Sequence, residues 1–314
     1  SIINKFSILS NRKIYSDNFP NSGFYQNLFI DSTQTFDSLS NIAITNSFGI
    51  TFKNFTLSQI IHNRHAHIYT IDSTDYDYGL SLKYYNDKQS FSFNYELYQS
   101  DALNLSLKKV FNLKLLNHTI NLDYNKSRVP ILINSYYSNH FCFDNDFNNI
   151  KIAKATYFVK HKNFSFISDL NHYSDYVYLN QDSHYQQHQN AIIKWYNKLT
   201  INLNWNRFHT TQTMEYQYAD NNSILRFPDF NYNTSLWFES NLFGDNLNTQ
   251  IGADMNYFTS YYANAYNPAL AKFYLQDNQL IGDVPLISVF LKLKVHNMSI
   301  TMRYRNITTL ISDN

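Results

Sequence analysis

Alternation between two chemical kinds of side chain, held for nine residues at a stretch, leaves a chain few folds to choose from. From Asp75 to Lys83 the even positions Tyr76, Tyr78, Leu80 and Leu82 are aromatic or aliphatic, while Asp75, Asp77, Gly79, Ser81 and Lys83 are charged, small or hydroxylic. Successive side chains of a strand point to opposite faces of a pleated sheet, so this segment is a strand with one apolar and one polar face. After a polar turn at residues 86–89, Phe91, Phe93, Tyr95 and Leu97 alternate with Ser92, Asn94 and Glu96, which makes the pair a hairpin. Leu103, Leu105 and Leu107 alternate with Asn104, Ser106 and Lys108; after a turn placed at Asn117 and His118, Ile120, Leu122 and Tyr124 alternate with Asn121 and Asp123. Leu199, Ile201, Leu203 and Trp205 oppose Thr200, Asn202 and Asn204, and Ile251, Ala253, Met255 and Tyr257 oppose Gly252, Asp254 and Asn256. The last pair runs from Val289 through Lys292 and Lys294 to a turn at His296 and Asn297, then from Met298 through Arg303 to Tyr304 and Arg305. Its polar face is cationic.

Composition agrees with many half-buried strands. Tyrosine and phenylalanine number 27 and 25 in 314 residues, against 6 glycines and 5 prolines, and asparagine, serine and threonine fill the alternate positions. The formal charge of +1 gives no electrostatic reason to expect nucleic acid. A single cysteine, Cys142, excludes an internal disulfide framework and a thiolate metal cluster. No apolar run reaches the length of a membrane-spanning helix, and no basic, apolar leader opens the chain, so it is expected to be either mature or cropped.

Pro20, Pro130, Pro228, Pro268 and Pro285 all fall outside the alternating runs, as they must if those runs need every backbone donor. Irregular stretches are expected at residues 10–36, 128–149, 180–190, 210–230 and 259–284. Between Ile150 and Val159 the apolar parity switches around Ala153, which reads as a β-bulge or register change. No linker, composition shift or fixed-period repeat divides the chain. One domain over residues 1–314 is therefore expected, with residues 1–35 irregular or preceding further strands.

A soluble sandwich also alternates. Here, however, several runs last about nine to thirteen residues, the reach a tilted strand needs to cross hydrocarbon. Tyr76, Tyr84, Tyr95, Tyr124, Tyr257 and Tyr304 sit near run ends with aliphatic residues between them, as aromatic girdles would require. The opposite face then turns to an aqueous interior. Asp75, Asp77, Lys83, Glu96, Lys108, Asp123, Asp254, Lys292, Lys294, Arg303 and Arg305 are the candidate lumen-facing residues. An open edge in lipid would leave backbone groups unpaired, so the expected fold is all-β: an antiparallel transmembrane β-barrel of roughly 14–16 strands.

From about Asp31 to Ile307 the chain resembles the putative porin family of Bacteroidota outer membranes. Tyr136, Ser138, Asn139, His140, Phe141, Asp144 and Phe147 resemble the family's Tyr-x-Ser-Asn-His motif; Tyr176, Tyr178 and Leu179, before Gln187 and His188, resemble the segment ahead of a central strand pair. Leu225, Arg226, Phe227 and Pro228 match a loop after a Tyr-Gln step, here Tyr216 and Gln217. The fullest match runs through Ile251, Gly252, Tyr257, Tyr261, Tyr262, Tyr266, Pro268, Phe273, Tyr274, Leu275, Gln276, Ile281, Gly282, Pro285, Val289 and Phe290. Val284 and Ser288 depart from the family's tyrosine and aspartate around that proline. Members are longer and finish on an aromatic strand, whereas this chain ends Ile311, Ser312, Asp313, Asn314, so it is expected to be either cropped at both ends or a shortened barrel. The resemblance implies an outer-membrane β-barrel in a Gram-negative cell, with no catalytic residues to carry over.

The remaining candidates for chemistry are weak. His62, His65 and His67 form the densest histidine group, yet no cysteine or third ligand accompanies them, and rim or lumen histidines describe them better. Asp144, Asn145, Asp146, Asn148 and Asn149 lack the glycine and terminal glutamate of a calcium loop. No serine–histidine spacing stands out as a hydrolase, no metal or cofactor is called for, and no enzyme is expected. The expected activity is passive diffusion of small hydrophilic solutes through a polar lumen, with outer-membrane lipid around it and protein partners undefined. The alternative is a non-conducting barrel that acts as scaffold or receptor through long aromatic loops; a barrel lipid hydrolase or acyltransferase ranks third.

Overall fold

The computed structural model describes residues 1–20, 25, 27–68, 71–244 and 246–308. Fifteen strands form one antiparallel sheet: β1 (Ile2–Asp17), β2 (Thr35–Phe52), β3 (Phe55–Ile68), β4 (Ile71–Tyr85), β5 (Gln89–Glu96), β6 (Leu103–Leu113), β7 (Leu116–Ser127), β8 (Ile150–Lys160), β9 (Phe164–Ser174), β10 (Ile192–Trp205), β11 (Phe208–Ala219), β12 (Phe230–Leu242), β13 (Leu247–Phe258), β14 (Leu286–Val295) and β15 (Met298–Tyr304). Their order across the sheet is their order along the chain. Four two-stranded ribbons lie in the connections, among them Ser135–Tyr137 with Cys142–Asp144 and Tyr176–Leu179 with Tyr185–His188.

Several expectations need correction. Residues 2–17 are not irregular: β1 pairs with β2 without interruption from Ile2↔Ile50 to Asp17↔Thr35. Its outward face carries Asn4, Ser10 and Arg12 among apolar residues, which blurs the alternation. The stretch 210–230 is strand as far as Ala219; there Thr210 and Gln212 occupy outward positions, and Gln212 satisfies itself on the Thr210 hydroxyl and the Tyr232 hydroxyl. The turn placed at Asn117 and His118 lies instead at Lys114 and Leu115, where Lys114 adopts a φ of 53°. No bulge interrupts β8, which pairs residue for residue with β7 and β9. The parity changes because Ile152 points inward, in line with Tyr173 and Ile192 on the next two strands.

The two faces differ as the alternation requires. One presents Phe6, Ile50, Leu57, Tyr78, Leu107, Leu203, Ile251 and Ile300, all exposed. No second layer covers them among the described residues. The other face carries the charges, and there the sheet is concave. Lys13 on β1 donates to the carbonyl of Ala269, in the connection between β13 and β14, and Ala269 N donates to the Tyr25 hydroxyl. On a flat sheet, β13 and β1 would stand ~58 Å apart at the usual strand spacing. The chain from Phe258 to Ala269 spans at most ~40 Å when fully extended. Only a strongly curled sheet brings these groups together. Among the described residues β1 pairs only with β2, and β15 only with β14.

The connections at the two ends are unequal. At one end every connection between consecutive strands is a turn of two to four residues. At the other, β1 and β2 are joined by a long connection of which residues 18–20, 25 and 27–34 are described, and residues 128–149, 175–191 and 259–285 form long loops. These loops fold over the concave mouth and build the only apolar core found among the described residues. Tyr136, Phe141, Phe143, Leu179, Ala269 and Leu270 are buried there against Ile68, with Tyr15 and Leu39 of the wall beside them.

Candidate functional site: the inner wall and its loop cap

Register places Asp75, Asp77, Lys83, Glu96, Lys108, Asp123, Asp254, Lys292, Lys294 and Arg303 on the concave face. Arg305 lies beyond the end of β15, so no ladder assigns it a face. Tyr76, Tyr84, Tyr95, Tyr124, Tyr257 and Tyr304 share the convex face with the aliphatic residues. Tyr84 packs on Phe55 at the turn end, with ring centroids 4.8 Å apart, and Tyr95, Tyr124 and Tyr257 stand near the loop end.

The concave charges are joined by partners the sequence did not single out. Asp77, 1% exposed, accepts from Arg64 Nη2 at 2.6 Å and from the Ser100 backbone N–H at 2.8 Å. The same guanidinium nitrogen reaches Glu96 Oε2 at 3.1 Å, and Glu96 also faces His62 Nε2 at 3.3 Å and accepts from the Ser100 hydroxyl at 2.7 Å. Arg128 meets Asp75 at 3.1 Å. Farther round the wall stand Lys154 with Asp169, Lys198 with Glu215, and Arg303 with Asp254, at 3.1, 2.8 and 2.8 Å. A signal for these was present: once Ile68 is set opposite Ile71, the register of β3 on β4 puts Arg64 beside Asp75 and His62 beside Asp77.

His62 therefore faces inward, whereas His65 and His67 lie on the convex side, His65 bonded to Thr74 and facing Asp72 at 3.2 Å. The three histidines do not converge. Among the described residues no group of three His, Cys, Asp or Glu side chains is arranged to hold a metal.

The motif around residues 136–147 acts as a brace for the loops. Ser138, Asn139 and His140 are at most 2% exposed. The Asn139 side-chain amide donates to Thr35 Oγ1 at 2.6 Å and to the Asp31 carbonyl at 2.8 Å; its oxygen accepts from the Ile30 and Asp31 N–H groups. His140 bridges Thr35 Oγ1 and the Asn27 carbonyl, both at 3.1 Å, while its ring stacks on Tyr25 at 4.0 Å. A buried polar group without partners costs about 1–3 kcal/mol, so these side chains fix loop 128–149 to β2 and to loop 18–34. Arg226 does the same between loops, pairing with Asp277 at 2.7 Å and donating to the Gln276 carbonyl.

Burial pushes the phenols of Tyr176 and Tyr185 up, that of Tyr185 to about 12. A cavity of about 370 Å³ remains among the loops, lined by Tyr25, His140, Ser183, His184, Asn267 and Tyr274 with their neighbours.

A sequence model of the family described as putative porin matches residues 1–314. No curated protein sequence matches the chain. Among solved structures the chain is similar to the ferric enterobactin receptor PfeA of Pseudomonas aeruginosa, with a TM-score of 0.63 and 9% identity over 98% of this chain and 54% of that one. It is likewise similar to the apoprotein form of the FrpB iron transporter of Neisseria meningitidis, at 0.63 and 11% over 98% and 56%. The siderophore receptor PirA of Acinetobacter baumannii gives 0.60 and 7% over 98% and 55%. The chain spans about half the length of these structures. At such identities the likeness is one of fold, that of outer-membrane receptor barrels.

Proposed function

The chain belongs to the putative porin family, and from that membership we propose that its curled sheet forms a barrel wall through which small hydrophilic solutes diffuse passively. Its place is the outer membrane of a Gram-negative cell. The observation that carries the pore reading is the division of one sheet into an exposed apolar convex face and a charged, hydrogen-bonded concave one. Hydrocarbon accepts the first and water the second. In lipid, an edge left open at β1 or β15 would leave a row of donors and acceptors unsatisfied, so the reading requires a wall that is sealed in the functional state. Tight turns then face the periplasm and long loops the outside, the arrangement usual for such barrels. The wall needs no catalytic residue, and the loop cap sets the size limit.

Stepwise conductance of the purified protein in a planar bilayer is the test. Replacing residues 263–280 by a short glycine–serine linker is expected to enlarge each step about twofold, because part of the cap is then missing from the mouth. Bilayers that stay sealed with both proteins would overturn the reading. The cavity among the loops favours a second reading, a receptor that holds a ligand at its outer end. Sealed bilayers together with saturable ligand binding to the loops would select it.

Orientation has its own check in the exposed Cys142, on the loop-end ribbon Cys142–Asp144. A membrane-impermeant maleimide is expected to label it in intact cells. Labelling only after the outer membrane is opened would reverse the topology.

A further inference from the structure

We propose that the interior has two electrostatic zones and that the zone at the turn end selects small anions; this rests on the pore reading and names its class of solute. At mid-height the concave wall carries the belt of paired ions already described, in which Arg64, Lys154, Lys198 and Arg303 each meet a carboxylate within 3.1 Å. Positive and negative charge cancel there over a few ångströms.

Toward the tight turns the cancellation stops. Lys5 on β1, Lys83 on β4, Lys108 on β6, Lys160 on β8, and Lys292 and Lys294 on β14 all occupy concave positions by register. All six are exposed, and none has an ion-pair partner among the described residues. On this part of the wall Glu239 is the carboxylate among the described residues; it faces His209 at 3.8 Å and accepts from Asn248 and Gln250. The rim below has the same sign: Lys53, Lys88, Lys114, Lys162 and Arg207 sit in five of the tight turns, against Asp87 among the described residues and, by sequence, Asp245 between β12 and β13.

Lipid headgroups do not account for the six wall lysines, because these share the polar face with the ion-pair belt and point away from the apolar one. A water-filled space with low-dielectric walls focuses the field of such a ring, and rings of lysine are a known basis of anion preference in pores. The residue type fits passage better than capture. Lysine is a compact, strongly hydrated charge on a flexible stem, whereas the two arginines on the concave face of the strands, Arg64 and Arg303, are held in fixed pairs in the belt. Small carboxylates, phosphate and chloride would gather in this half of the lumen and leave it readily.

The test is the reversal potential of single channels in a potassium chloride gradient. Chloride is expected to pass in preference to potassium, and the preference should shrink between 0.1 M and 1 M salt as the screening length falls from about 10 to about 3 Å. A variant combining Lys83→Gln, Lys108→Gln, Lys292→Gln and Lys294→Gln is expected to bring the permeability ratio close to one while steps persist. Lys292→Glu alone, at an exposed position, is the second variant should the fourfold one fail to assemble; it is expected to lower the ratio. Steps with potassium preference, or a ratio unmoved by these changes, would overturn the anion inference and leave the pore standing. Absence of steps in the unaltered protein would end both.

Discussion

Arg64→Ala is expected to cost the folded wall about 3 kcal/mol, because it strands a carboxylate where water does not reach. Asp77 is 1% exposed and has two partners in the structure, the Arg64 guanidinium at 2.6 Å and the Ser100 N–H at 2.8 Å. Without the arginine, a buried anion keeps one neutral donor. The reverse change, Asp77→Ala, is milder: Arg64 is about a third exposed and retains Glu96 at 3.1 Å. The order Arg64→Ala worse than Asp77→Ala therefore distinguishes an ion stranded by burial from a mere loss of attraction. Arg64→Ala combined with Asp77→Asn should recover part of the loss, since no charge is then left without its counter-ion. The urea midpoint of the protein in detergent reads all three, with the heat-dependent shift of the band on a gel as a check of assembly. Equal midpoints for Arg64→Ala and the unaltered protein would mean that another group takes over the partnership with Asp77 and would overturn the argument.

How much of this wall was legible beforehand depended on where each strand meets its surroundings. Through the middle of β4, β6, β7, β13 and β15 the strand's own convex positions are apolar and its concave ones polar or small, so period two appears undiluted and the register of faces could be read from sequence. It fails at the loop end. Ile152, Tyr173 and Ile192 are apolar and inward because loops, not water, fill the mouth beside them, and the resulting change of parity reads in sequence as a bulge. It also fails on the outward faces of β1 and β11, where Arg12 is bonded to the Ser38 hydroxyl and Gln212 to the Thr210 hydroxyl. A polar group satisfied by a neighbour is tolerated where one alone would not be, and a single sequence does not show the neighbour. The ion-pair belt was half visible for a similar reason. Its carboxylates lie within cleanly alternating runs, but Arg64 and Arg128 lie outside them. The motif around Asn139 stood out in sequence, while its role as a brace depends on Thr35 and Asp31, about a hundred residues away in the chain.

Gly252→Ala is expected to block assembly of the wall outright, although it adds one methyl group on the polar face of a strand where alanine is otherwise acceptable. A Cβ built there would lie 2.4 Å from the Leu236 carbonyl oxygen, 2.6 Å from Phe290 Cζ and 2.7 Å from Trp237 Cβ. The phenyl ring can turn aside; the carbonyl belongs to β12 and is fixed by the ladder that pairs Gly252 with Trp237. Relief requires β12 and β13 to part locally, which breaks ladder bonds and costs about 3 kcal/mol or more. Gly244, in the turn at residues 243–246, supplies the control. A Cβ there meets nothing within 4 Å, but its φ is +65°. Gly244→Ala should therefore cost only the penalty of a left-handed side chain, about 1 kcal/mol, and leave the heat-shifted band in place. Adding Phe290→Ala to Gly252→Ala is expected not to restore folding, because the carbonyl remains. Restoration by that second change would assign the obstruction to the ring and free β12 from the argument.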